Sequence, residues 1–431
     1  MARGALCEGA GGRDVSVAKP SSRAGLVRTV LVVFMPFAAG FFFSDLYRQI
    51  NAVIAPNLIE EIGLSAAGLG LLTSVFFLSF TANQLPLGVM LDRFGPRRVQ
   101  AAQLLIAAAG ALVFSFGQSE ATLLIGRALI GLGVSGGLMS SFKAITLWFP
   151  RERWPLMNGL VLAFGGMGAM AATVPVEALL DVVGWRGVFL GAAALTAVTA
   201  GLIFFVVPEK PAPSAPLSFR RQIKDLRRIF GDREFWRYTP VCVTAVAAAM
   251  SVQGLWAGPW MVDVAGLSQQ TLAVYLLANT GSMSLGFVVG GFATGALGRI
   301  GIGLPKVMGV SIVLFMAAQL LIIFEVAPGS VAPWILFGLF GHMVLLTYAH
   351  LSRYFPIEFA GRANTCLNLA VFAGVFVVQY GMGLIINAYP LDSGGGYGAE
   401  GYRTAFIAAL GLEVLAFAWF LIPGRPRDAD G

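Results

Sequence analysis

A chain of 431 residues that is 57% hydrophobic and only 12% charged holds about half the charge of a typical water-soluble domain. Its apolar residues gather into a dozen runs of about 20 or more, the length at which a helix crosses a bilayer, and this excludes a soluble enzyme core. The surplus of 29 Lys and Arg over 22 Asp and Glu takes its meaning from where the bases lie.

In chain order the runs predict twelve membrane helices, at 28–55, 65–91, 98–117, 121–149, 156–183, 187–207, 236–262, 269–297, 304–325, 331–354, 363–388 and 403–422. The expected organisation is a tail (1–27), six helices (28–207), a linker (208–235), six more helices (236–422) and a second tail (423–431). The first run is too long for a cleavable signal sequence, so it is read as a retained helix. With the N-terminus in the cytoplasm, that side carries 24 bases and the opposite loops only Arg186 and Arg403. The positive-inside rule therefore places both termini in the cytoplasm of an inner membrane, and it accounts for the basic charge without nucleic acid. Within the linker, Ile223, Leu226, Ile229 and Phe230 share one helical face among bases. Such a segment either rests on the anionic inner leaflet or is a solvated linker helix. Cys7, Cys242 and Cys366 are far apart and lack ligand spacing, so neither a disulfide framework nor a metal site is expected, and no cofactor.

The two sixes repeat one another. Ala55-Pro-Asn-Leu-Ile-Glu-Glu-Ile-Gly-Leu-Ser65 lies on Gly258-Pro-Trp-Met-Val-Asp-Val-Ala-Gly-Leu-Ser268 at an offset of 203, which carries Gly88 onto Gly291 and Gly95 onto Gly298. Trp148-Phe-Pro-Arg-Glu152 matches Tyr354-Phe-Pro-Ile-Glu358 at 206. The fold class is thus all-α integral membrane, with two pseudo-symmetric six-helix bundles.

Gly88-Val-Met-Leu-Asp92-Arg93-Phe-Gly95-Pro-Arg97-Arg98 resembles the loop 2–3 signature of the major facilitator superfamily of secondary transporters, and Arg127-Ala-Leu-Ile-Gly131-Leu-Gly133 resembles its fourth-helix pattern. The resemblance implies alternating access around a site between helices 1, 4, 7 and 10. Physically, Asp92 beside Arg93, Arg97 and Arg98 can latch neighbouring helices in one state, so Gly88, Asp92, Arg93, Gly95, Arg97 and Arg98 are read as the gate.

Ionisable groups inside spans are costly and mark function. Here they are Asp45, Arg48, Arg127, Lys143, Glu177, His342, His350 and Glu413. Ser44, Tyr47, Arg48 and Asn51 fall on one helical stripe beside Asp45, read as lining a central cavity. With Pro56 and Glu120 as the outer ends of helices 1 and 4, Asp45, Arg48 and Arg127 lie about 16, 12 and 10 Å deep, close enough to cluster. Lys143 and His350 occupy matching inner positions, about 10 and 9 Å from their helix ends, as suits a shared pathway. Asp45 either pairs with Arg48 or Arg127 structurally, or takes and releases a proton, with Arg127 and Glu177 in the coupling. That second arrangement resembles proton-coupled sugar transporters of the superfamily.

Arg48, eight residues before Pro56, resembles the first-helix arginine of the organophosphate and organic-anion branch, and a guanidinium matches carboxylate or phosphate oxygens. Ser251 stands where that branch has a second arginine in helix 7, which points to a monoanion such as a sugar acid or small carboxylate. Tyr47, Arg48, Asn51, Lys143, Gln253, Trp256 and His350 are the expected substrate contacts. If Asp45 fully satisfies Arg48, a neutral solute fits instead. No Walker motif implies no ATP drive. The expected function is proton-coupled uptake of a small organic anion by a monomer, with export, exchange or a transporter-like receptor as the alternatives.

Overall fold

The computed structural model describes residues 23–210, 228–391 and 396–422. Cys7 and the linker residues Ile223 and Leu226 lie outside the described residues. At the described end of the linker, Ile229 is buried and Phe230 packs edge-on against Phe235, centroids 5.6 Å apart.

Among the described residues, eleven helices are long and apolar enough to cross a membrane, and the shorter Leu156–Ala171 is apolar too. The twelve spans are α1 (23–62), α2 (66–94), α3 (96–115), α4 (Glu120–Trp148), α5 (154–183), α6 (185–206), α7 (Arg233–Asp263), α8 (Gln269–Arg299), α9 (Leu304–Ile323), α10 (Ala332–Tyr354), α11 (Ile357–Asn387) and α12 (Ala399–Leu421). They form two halves of six.

Local chemistry sets the turns. Gly63 and Gly266 end α1 and α7 with left-handed φ of 73° and 63°, a conformation that glycine adopts without strain. Two residues later, Ser65 and Ser268 cap α2 and α8 by accepting the N–H of Gly68 and Thr271. The offset of 203 is therefore a repeat of backbone conformation as well as of residues. It does not extend to Gly298: the left-handed partner of Gly95 (φ 75°) is Gly301 (φ 80°). Gly298 is still inside α8, so the three extra residues enter before this turn.

Pro56 does not end α1, which runs on to Ile62. Proline removes one N–H and crowds the preceding turn; the chain absorbs this with a break at Ile50 and then resumes as Asn51–Ile62. The extra six residues add about 9 Å of helix and bring Asp45 and Arg48 nearer mid-span. Four other helices break at similar depth: α4 at Ser135 and Gly136, α5 at Ala172 and Thr173, α7 in a π-turn at Val252–Trp256 just before Pro259, and α10 at His342, which leads into a 3₁₀ turn. All five breaks lie about 14 to 22 Å from the Gly63 end. Broken helices expose backbone groups, and these are tolerated at membrane depth only inside protein or along a cavity. In α4 the freed groups are met by neighbours: Ser44 donates to the Val134 carbonyl, Gln84 to the Ser135 carbonyl and Asn83 to the Ser135 hydroxyl.

The two halves meet at the Gly63 end. There Gln269 donates to the Val53 carbonyl (3.0 Å) and the Tyr397 hydroxyl to the Leu64 carbonyl (3.3 Å). Gly70 of α2 and Gly383 of α11 touch backbone to backbone, with Trp256 wedged against both. Deeper in, Phe372 of α11 stacks on Phe77 of α2 and packs at a tilt against Phe80. At the opposite end, Asp92 pairs with Lys143 and Arg98 with Glu209 inside the N-terminal half, while His350 and Tyr354 reach Glu234 and Asp232 inside the C-terminal half. This conformation is closed at one end by contacts between the halves.

Candidate functional site

Asp45 and Arg48, one turn apart on α1, form an ion pair whose side chains are 13% and 17% exposed. Gly165 of α5 leaves room for the carboxylate, since a Cβ there would collide with it. The guanidinium carbon lies 5.9 Å from the ring centroids of both Phe80 and Phe372, so one aromatic face from each half flanks the cation. Arg48 Nε is buried without a hydrogen-bond partner. The π-turn of α7 comes up beside this pair, with Gly254 close to the Arg48 carbonyl and the Gln49 amide.

The rest of the expected stripe turns the other way. Tyr47 is fully buried with its hydroxyl 3.2 Å from Thr196 of α6; Asn51 donates to Thr73 of α2 at 2.8 Å, and Ser44 to α4. These three tie α1 into its own half, so only Asp45 and Arg48 remain near the midline. The reason is angular: 100° per residue spreads positions 44 to 51 over a broad arc, and a crowded bundle offers partners on several sides. The expected cluster with Arg127 does not form. Arg127 is fully buried, donates through Nη1 to the Tyr47 carbonyl at 2.7 Å and lies 4.7 Å over the Phe76 ring. It grips α1 one residue before Arg48, while Asp45 pairs with Arg48. Glu177, a turn beyond a break in α5 at Ala172 and Thr173, is 9% exposed.

Lys143 and His350 are each drawn into their own half. Lys143 Nζ binds Asp92 Oδ1 at 2.9 Å, and His350 stacks on Tyr238 (4.0 Å) with Nε2 3.5 Å from Glu234. In α7, Gln253 Nε2 donates to Thr280 of α8 at 3.2 Å. Trp256, also fully buried, donates to the Gln379 carbonyl at 3.4 Å and plugs the closed end.

The loop at Gly95 is a compact ionic knot. Besides Asp92 and Lys143, Arg97 and Arg98 pair with Glu209 after α6 at 3.6 and 2.6 Å, and Arg97 Nε donates to the Phe204 carbonyl at 2.9 Å. Arg93 lies over the Phe94 ring. Gly88 is open on its Cβ side, while Gly95 supplies the positive φ of the turn.

Sequence reasoning did not single out Phe80, Phe372, Glu209, Glu234 or Asn279. The first two are aromatic residues in aromatic-rich spans and carry no local mark. Asn279, a fully buried amide in the apolar run of α8, does carry one, by the same cost argument that singled out the charges.

A family model, the Major Facilitator Superfamily, matches residues 37–301. The chain belongs to the Major Facilitator Superfamily. It is similar to the probable sulfoacetate transporter of Cupriavidus necator, 31% identical over 157 residues (36% of each chain), and to the probable L-galactonate transporter of Escherichia coli, 31% identical over 176 residues (39% of this chain, 37% of that one). A niacin transporter of Acinetobacter baylyi is 24% identical over 225 residues, 51% of this chain and 50% of that one. The chain spans about a third to a half of the length of these curated relatives. Among solved structures, a bacterial homologue of the human lysosomal transporter Spinster, inward-facing and occupied, superposes with a TM-score of 0.76 at 17% identity, over 90% of this chain and 95% of that one. The nucleoside transporter NupG superposes at 0.71. The family is that of membrane transporters, and α1, α4, α7 and α10 are among the helices of this chain that break at mid-span.

Proposed function

We propose that this transporter takes up a small organic anion, a sugar acid or a small carboxylate, together with protons by alternating access. The observation that carries the reading is the Asp45–Arg48 pair at the α1 break, flanked by one phenylalanine from each half. An arginine fork matches a carboxylate. Protonation of Asp45 frees Arg48 to bind the substrate anion in its place, so one proton and one anion load together, and release of the anion lets Asp45 shed its proton and recapture Arg48. Arg127 acts through the Tyr47 carbonyl as a positioning residue. The knot of Asp92, Arg93, Arg97 and Arg98, with Lys143, holds the N-terminal half rigid at the end that opens in this conformation. From the other half, the π-turn of α7 at Gly254 comes up beside the Arg48 carbonyl.

The relatives named for sulfoacetate, L-galactonate and niacin, organic acids all, support this substrate class. The distribution of bases supports an inner membrane location with both termini in the cytoplasm, which makes the Asp92 end cytoplasmic. A monomer suffices, since both halves of the site lie on one chain. The test is reconstitution in liposomes holding a pH-sensitive dye, with small acids, sugars and sugar phosphates added outside. Acids are expected to drive proton entry. Asp45→Asn should abolish proton-driven accumulation while sparing exchange, and Arg48→Gln should weaken the response to acids at least tenfold. Unchanged affinity in Arg48→Gln would remove the substrate role of that residue.

A further inference from the structure

In the N-terminal half α5 passes to α6 through Gly184 alone, whereas α11 ends at Asn387 and α12 begins only at Ala399. Gly396, Tyr397 and the first turn of α12 close around Asp263, the final residue of α7. Asp263 Oδ2 accepts from the Tyr402 hydroxyl at 2.6 Å and from the Tyr397 amide at 3.2 Å. A Cβ on Gly396 would stand 2.7 Å from Oδ1, so a residue without a side chain lets the backbone pass this close to the carboxylate.

The segment is thus tied to the C-terminal half, while its tyrosine crosses to the other. Tyr397 is buried, and its hydroxyl donates to the Leu64 carbonyl in the turn between α1 and α2 at 3.3 Å. Tyr402, also buried, lies 6.4 Å from the Trp256 ring that is wedged against Gly70 and Gly383. Both tyrosines held by Asp263 therefore stand at contacts between the halves. Glu60, the counterpart of Asp263 at the offset of 203, is exposed.

The energetics favour an anchor of this kind. A neutral hydrogen bond such as that of Tyr397 to Leu64 has a small net worth, and an untethered segment would lose conformational entropy to make it. Hydrogen bonds to a carboxylate are about twice as strong as neutral ones. Anchoring at Asp263 orders the segment beforehand, so that closure gains the Leu64 contact at little further cost.

We propose that Gly396–Tyr402 is a strap that seals the Gly63 end, and that Asp263 is a positioning residue for the closing step of transport, acting by presenting Tyr397 to Leu64. When the halves rock, Tyr397 leaves Leu64 and stays with Asp263, so the strap travels with the C-terminal half and re-engages already ordered. This rests on alternating access and holds whatever the substrate is.

The test places spin labels at Glu60→Cys and Gln270→Cys, exposed positions near the Gly63 end on opposite halves. The full chain carries Cys7→Ala, Cys242→Ala and Cys366→Ala, and the distance distribution gives the ratio of molecules open and closed at this end. One hydrogen bond shifts such a ratio about two- to tenfold. Tyr397→Phe is expected to raise the open share by that factor with little change in melting temperature, and Asp263→Ala by at least as much. The double variant should go no further than Asp263→Ala, because the hydroxyl has already lost its placement. Asp263→Asn, which keeps the shape and gives up an acceptor, supplies the readout if Asp263→Ala does not fold. An unchanged ratio in the Asp263 variant or in Tyr397→Phe overturns the strap. Shifts that multiply in the double variant overturn the positioning role, since the two residues would then act independently.

Discussion

Glu61, in the exposed last turn of α1 beyond its apolar stretch Gly25–Gln49, accepts from Trp185 Nε1 at 2.6 Å and pairs with Arg186. Those two donors, the indole first, hold its carboxyl below the ordinary 4.5. A lowered value in the fold means that the contribution to stability is fully present above 4.5 and is lost as pH falls through the lowered value. Glu61→Gln should therefore melt below the wild type at pH 7, with the gap closing as pH drops beneath 4.5; thermal unfolding across pH checks this, and a constant gap would refute it. Arg127 acts by a different route. Its replacement in Arg127→Met leaves the Tyr47 carbonyl unpaired, at a cost of about 1–3 kcal/mol. Uptake should fall by more than that loss of folded protein explains, measured as rate per folded molecule. At this scale the sequence marked which residues are costly to bury, but not their partners. Lys143 looked like a pathway residue and is bound to Asp92. Tyr47 shared a stripe with Arg48 yet turns to Thr196, because one helical arc faces several neighbours at once.

Glycine strings work between elements, and their positions separate two kinds of contact. Gly131 of α4 lies against the Phe76 carbonyl of α2, inside one half; Gly258 of α7 lies against the Ala52 carbonyl of α1, across the halves. The Ala52 carbonyl is also the group that Pro56 deprives of its helical N–H, so the close approach of α7 sits on a freed acceptor. A side chain at Gly131 forces a packed pair apart, and Gly131→Leu should destabilise the protein by about 1–3 kcal/mol. Gly258→Val instead penalises only the conformation closed at this end. It should shift the halves apart there, read as a longer spin-label distance between the ends of α1 and α7, with little change in melting temperature. An unchanged distance would show that the contact does not set the equilibrium. The element boundaries were largely legible because caps and left-handed glycines are local. The breaks were less so: Pro56 suggested an end where the helix only bends its hydrogen bonding, and the α10 break at His342 has no proline to announce it.

For the whole molecule, the closed end is secured by contacts between halves and the other end by ion pairs within each half. Rocking such halves costs little at the Asp92 end and must break the Val53, Leu64 and Gly70 contacts at the other. The Asp92–Lys143 pair keeps α2 and α4 together during that movement. Asp92→Lys should cut uptake at least tenfold, and adding Lys143→Asp should restore a substantial part by reversing the pair. Failure of the double variant to exceed either single one, at equal expression, would show that the pair is not the relevant contact. Arg97, Arg98 and Glu209 form a second brace in the same half, which explains why the basic residues of this loop are more than an orientation signal.

The sequence by itself determined the features that arise from local or cumulative terms: twelve apolar lengths set by bilayer thickness, a doubled pattern with matching Gly and Ser turns, the loop around Asp92, and a short roster of buried charges. Only the tertiary structure decided which charges meet, and that Asp45 keeps Arg48 while Arg127 holds a carbonyl. Pairing depends on the rotation and tilt of each helix against four or five neighbours. In an apolar span, packing sets those angles, and hydrophobic periodicity is too even to record them.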